Sequence, residues 1–77
     1  MKYYRDNAAL KEFGEKIRSI RLSKKVSQED LAYECGLEYS QINRIELGKI
    51  NTSVSHLFLI AKALKVAPKD LLDFEVK

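Results

Sequence analysis

An all-α fold of five short helices is what this sequence predicts, and three observations carry that expectation. Apolar residues recur at three- and four-residue steps in successive stretches of the 77-residue chain. No stretch of useful length alternates apolar and polar residues at period two, so no sheet is expected. Residues that open and close helices punctuate the apolar stretches: Ser27, Ser53 and Pro68 at the starts, Gly36 and Gly48 at the stops.

The first helix is expected over about residues 7–23, where Leu10, Phe13, Ile17 and Ile20 form one stripe with Lys and Glu between them. Asp6 or Asn7 is placed to cap it. In the second, Ser27-Gln-Glu-Asp30 sets a hydroxyl at the N-cap and an acid three places on, and both acids sit well for the helix dipole. Leu31, Ala32 and Cys35 then face inward until Gly36 ends the segment. The third runs roughly from Tyr39 to Leu47 and stops at Gly48. Ser53 caps the fourth, whose stripe is Val54, Leu57, Ile60, Ala61 and Leu64. The fifth is short: Pro68 suits the first helical position, and Leu71 and Leu72 return to the core. All three glycines read as punctuation.

Bulk composition bounds the function. Hydrophobic residues at 45% and charged residues at 32% describe a globular chain rather than a disordered one. At this length a single domain over residues 1–77 is expected, with short tails at 1–6 and 74–77 and no second unit to sense a ligand. A net charge of +3 is a weak preference for anionic partners. One cysteine and one histidine give neither an internal disulfide nor a Cys/His metal set, so no metal or cofactor is expected. No nucleophile–base pair or phosphate-cradling Gly loop stands out, so the chain does not read as an enzyme. The stretch MKYYRDNAAL lacks an apolar signal core, and no run approaches the roughly 18 apolar residues that span a bilayer. A cytoplasmic protein is therefore expected.

The third segment is the informative one. At 100° per residue Ile42 and Ile45 share one face, with Glu46 on its flank. Ser40 and Arg44 project from the opposite side with Leu47, and Tyr39, Gln41 and Asn43 lie on the shoulders. On periodicity alone such a ridge reads as a solvated polar face. The preceding capped helix, its Gly36 stop and a restart two to three residues later change that, because together they fit a helix-turn-helix over about residues 27–47. In that motif the second helix enters the major groove of DNA, and a ridge of hydrogen-bonding groups with a five-donor guanidinium suits base-pair edges.

SQEDLAYECGLEYSQINRIELGK, preceded by FGEKIRSIRLSKKV and followed by NTSVSHLFLIAKALKVAPKDLL, resembles the lambda-repressor/Cro-like, XRE-type helix-turn-helix family of bacterial and phage regulators over about residues 10–72. The resemblance implies a compact five-helix bundle that binds double-stranded operator DNA as a homodimer on a pseudo-palindrome; with no second unit expected, its control would lie in its own concentration. It places Tyr39, Ser40 and Arg44 on base-reading positions with Gln41 and Asn43 as neighbours, and Gln28, Lys49 and Asn51 on phosphate-binding positions. Arg21 and Glu46 match an ion pair that ties the first helix to the third. Stand-alone family members of this length include restriction–modification controllers, phage and mobile-element regulators and antitoxins. Glu38, Leu47 and Lys65 depart from the family pattern, at a helix cap, at the residue before Gly48 and at the end of the fourth helix. Glu38 and Leu47 also keep open a second reading, in which the same fold binds a protein partner.

The remaining residues take ordinary readings: Cys35 as core, His56 as a surface histidine, and Lys24 and Lys25 as solvated. Tyr3, Tyr4, Phe74 and Val76 are too apolar for free tails and serve either a dimer surface or packing on their own bundle.

Overall fold

The computed structural model describes residues 4–75. Its helices are α1 (Asn7–Ser23), α2 (Gln28–Cys35), α3 (Tyr39–Glu46), α4 (Val54–Leu64) and α5 (Pro68–Leu71), and the described residues contain no strand. Three helices open on side-chain caps, which satisfy amide groups that the first turn leaves unpaired. The Asp6 carboxylate accepts from Ala9 N–H at 2.9 Å, Ser27 Oγ from Asp30 N–H at 3.0 Å, and Ser53 Oγ from His56 N–H at 3.0 Å. At α3 the cap works in reverse: the Glu38 carboxylate takes no cap bond, and Gln41 Oε1 reaches back to accept from Glu38 N–H at 3.2 Å. Asp70 does the same for Ala67 at α5, at 3.0 Å.

The helix ends explain one departure from the family pattern. Lys65 adopts the left-handed conformation usually given to Gly, with φ 60°, and Val66 N–H closes the turn on Ala61 O at 3.0 Å. Lys25 does likewise after α1, with φ 57°. A side chain in this region costs about 1–2 kcal/mol relative to a right-handed residue.

Every helix contributes to one core: Ile17, Leu31, Ile42, Ile45, Ile60, Leu64 and Leu71 are fully buried. Cys35 lies among them, 6% exposed, and burial followed by the nearby Glu34 charge pushes its thiol pKa up. Leu72 is an exception to the expected pattern. It is 52% exposed, because α5 ends at Leu71 and two successive helical residues point about 100° apart. Gly14 is a second correction, since it is not punctuation. It sits in the middle of α1, where a Cβ would collide with the carbonyl oxygens of Ile45 and Glu46. Gly48, in the left-handed region at φ 71°, faces the same helix, and a Cβ there would stand 2.7 Å from Lys11 Cα. The backbone of α1 therefore lies directly on the end of α3. No described helix is long and apolar enough to cross a membrane.

Candidate nucleic-acid interface

α2 and α3 are joined by Gly36, Leu37 and Glu38, a turn made by Gly36 in the left-handed region and closed by Leu37 N–H on Ala32 O at 2.9 Å. α3 is seated by Ile42 and Ile45, which are 1% and 2% exposed. The opposite side of its cylinder carries Ser40, Arg44 and Leu47, all exposed, with Tyr39 exposed and Asn43 half-buried beside them. Gln41 lies on the other flank, half-buried and occupied by the reverse cap. Arg44 enters no ion pair among the described residues, so its guanidinium is available to an outside acceptor.

Beneath the ridge lies a buried polar cluster. Arg21 donates from Nε to Glu46 Oε2 at 2.7 Å and from Nη2 to Glu46 Oε1 at 3.1 Å, a bidentate pair. Its Nη1 donates to Val26 O at 2.8 Å, an acceptor that the Lys25 turn brings into reach. The hydrogen bond that Arg21 donates to Glu46 holds the Arg21 pKa above its ordinary value despite the opposing cost of burial. The pair joins α1 to α3 through side chains only 8% and 1% exposed, so it fixes the rotation and height of α3 on the bundle.

Gln28, expected on a phosphate, turns its amide nitrogen towards α3. Nε2 donates to Glu46 Oε1 at 2.9 Å and to Asn43 Oδ1 at 3.4 Å. Its side-chain donors are thus engaged within the protein. Lys49 and Asn51 are exposed in the connection between α3 and α4. That connection is fastened at both faces: Lys49 N–H donates to Arg44 O at 2.9 Å, and Lys49 O accepts from Arg5 Nη2 at 2.6 Å. Arg5 also donates from Nε to Asn7 Oδ1 at 2.7 Å, which strings the N-terminal segment across the loop. Sequence reasoning missed Arg5, and no local pattern signals a bond to a carbonyl 44 residues away.

Away from this surface, Phe74 packs back against the core, while Tyr4 is exposed. Tyr3 and Val76 lie outside the described residues. Phe74, Leu72, Val54, Leu57, Leu10 and Phe13 line an apolar groove, and Val54 and Phe58, one helical turn apart, are 68% and 55% exposed. His56 is half-buried, its Nδ1 3.5 Å from Thr52 Oγ1.

The helix-turn-helix architecture recurs in known proteins. A family model described as Helix-turn-helix matches residues 17–71. The control protein C.BamHI of Bacillus amyloliquefaciens is 56% identical over 63 residues, covering 80% of this chain and 78% of that protein. The crystal structure of the restriction-modification controller protein C.AhdI from Aeromonas hydrophila is similar with a TM-score of 0.79 and 37% identity, over 80% of this chain and 94% of that one. The controller protein C.Esp1396I, solved as a tetramer in complex with its natural 35 base-pair operator, is similar with a TM-score of 0.73 and 34% identity, over 84% of this chain and 96% of that one. The chain belongs to the XRE-type helix-turn-helix family of lambda-repressor-like fold.

Proposed function

We propose that this protein is a sequence-specific, double-stranded-DNA-binding transcriptional regulator of the restriction–modification controller kind, acting as a homodimer. The observation that carries the reading is the ridge of α3, where exposed hydrogen-bonding side chains stand on a helix locked by two buried isoleucines and a buried ion pair. The similarity to controller proteins, one of them held on its operator, supports it.

In this reading α3 lies in the major groove. Arg44 donates to guanine N7 and O6, a bidentate contact worth about 1–3 kcal/mol of discrimination. Ser40 donates or accepts at a neighbouring base, and Tyr39 meets a phosphate, a base edge or a thymine methyl. Lys49 and Asn51 hold the sugar-phosphate backbone, and such contacts set register without reading sequence. Most of the affinity is electrostatic, each neutralised phosphate adding about 0.9 to the slope of log affinity against log salt. The exposed apolar residues Val54, Phe58 and Leu72 beside the groove supply the surface for a second copy. Two copies then read half-sites about 10 base pairs apart on a pseudo-palindrome.

In vitro selection from randomised duplexes, followed by titration at two salt concentrations, tests the reading. A selected motif of two inverted half-sites, with a preference that survives the higher salt, supports it. Uniform weak binding that vanishes with salt overturns it in favour of a protein-binding role for the same fold.

A further inference from the structure

The Glu46 carboxylate is an acceptor only, and it is almost wholly enclosed. Chemistry alone therefore decides which end of the neighbouring Gln28 amide faces it: the nitrogen, whose Nε2 lies 2.9 Å from Glu46 Oε1. A side-chain amide nitrogen has two hydrogens. The second leads to Asn43, and the atom that receives it is necessarily the oxygen, Oδ1, at 3.4 Å. With its oxygen turned in, Asn43 turns its NH2 group out. Asn43 is half-buried on the shoulder of α3, on the same side as Tyr39 and Ser40.

We propose that Glu46 and Gln28 are positioning residues that make Asn43 a donor-only reader in the major groove. An unconstrained asparagine pairs with adenine through both ends of its amide, accepting from N6 and donating to N7. Here the accepting end is held towards Gln28, on the protein side of the helix. What remains is a pair of donors: guanine receives them at N7 and O6 and thymine at O4, whereas adenine offers N7 alone, beside an amino group that is itself a donor. Adenine opposite Asn43 would leave its N6 amino group without an acceptor. The chain of bonds from Arg21 through Glu46 and Gln28 to Asn43 thus carries the polarity of a buried ion pair out to a base edge. The inference rests on the placement of α3 in the major groove.

The experiment is in vitro selection with the whole chain in three forms: wild type, Asn43→Ala and Gln28→Met. Asn43→Ala identifies the base position that this side chain reads, as the one whose preference collapses. Wild type is expected to select guanine or thymine there. Gln28→Met keeps the length of the side chain and removes its donor, freeing the Asn43 amide to turn over. Adenine at that one position is then expected to rise by about 5-fold or more relative to wild type, the lower end of what a bidentate pair discriminates. The remaining positions and the salt slope are expected to stay as in wild type. A purely structural Gln28 would instead weaken all sequences together. Adenine preferred by the wild type at the Asn43 position, or a Gln28→Met profile identical to wild type, overturns the inference. A wild type with no sequence preference overturns the parent assignment of α3, and the reader role with it. Side-chain amide exchange in the DNA-free protein tests the relay separately. The Gln28 amide protons are expected to exchange more slowly than those of Asn43, and the opposite order overturns the relay even where a motif is selected.

Discussion

Replacing Glu46 with Ala is the most informative perturbation of stability. The Arg21 and Glu46 side chains are 8% and 1% exposed, and the carboxylate receives three donors: Arg21 Nε at 2.7 Å, Arg21 Nη2 at 3.1 Å and Gln28 Nε2 at 2.9 Å. The variant keeps the guanidinium buried with only the Val26 carbonyl at 2.8 Å left to it. Removing one partner of a buried pair costs about 3–5 kcal/mol, since a charge is stranded away from water. A domain of this size has a total stability of about 4–12 kcal/mol. At about 4–8 °C per kcal/mol, the melting temperature should fall by more than about 10 °C. Thermal unfolding followed by circular dichroism, with urea titration beside it, reads the loss. The double variant Arg21→Met, Glu46→Leu removes both charges together and should recover most of it, because an apolar pair of similar volume is often neutral or better. A Glu46→Ala protein within about 1 kcal/mol of wild type would refute the claim that this pair fixes α3.

Arg44→Ala should leave the melting temperature within about 1 °C of wild type, as an exposed residue outside any ion pair does little for stability, and should relax preference at one base position by about 1–3 kcal/mol in duplex selection. Gly14→Ala should destabilise by about 1–3 kcal/mol in urea unfolding although alanine is the better helix former, because the added methyl meets the backbone of α3. A gain in stability would show that the two helices separate at no cost. The Cys35 thiol should resist iodoacetamide in the native protein and react once urea unfolds it, since burial both hides it and keeps the thiolate scarce at neutral pH. Equal rates in the two states would contradict its place in the core.

Much of the fold is written in local pattern. The stripe of α1, that of α4 from Leu57 onwards and the caps Ser27 and Ser53 are legible because period and cap chemistry act within a few residues of one another, whereas Val54, expected in the α4 stripe, is 68% exposed in the first turn. The ridge of α3 is legible by elimination: once Ile42 and Ile45 are assigned inward, Ser40 and Arg44 have one direction left. What escaped the sequence is tertiary. A glycine inside a helix has the same local appearance whether or not another backbone lies on it, so the role of Gly14 emerges only when α1 and α3 cross. Leu71 and Leu72 are equivalent by composition and are separated by where α5 stops. Arg5 and Lys49 meet across 44 residues, and the Gln28 amide chooses its direction from Glu46, which another helix supplies. Lys65 shows the boundary between the two cases. Its departure from the glycine expected there is visible in the sequence, whereas the left-handed turn that accommodates it is a property of the folded chain.

Everything proposed for DNA recognition depends on the wet side of α3 meeting base edges. Amide chemical-shift mapping of the labelled protein, titrated with its selected duplex, addresses it directly. The largest shifts are expected on Tyr39 to Leu47 and on the loop with Lys49 and Asn51, while Val54, Phe58 and Leu72 move little. Shifts concentrated on that apolar face, with α3 unchanged, would contradict it.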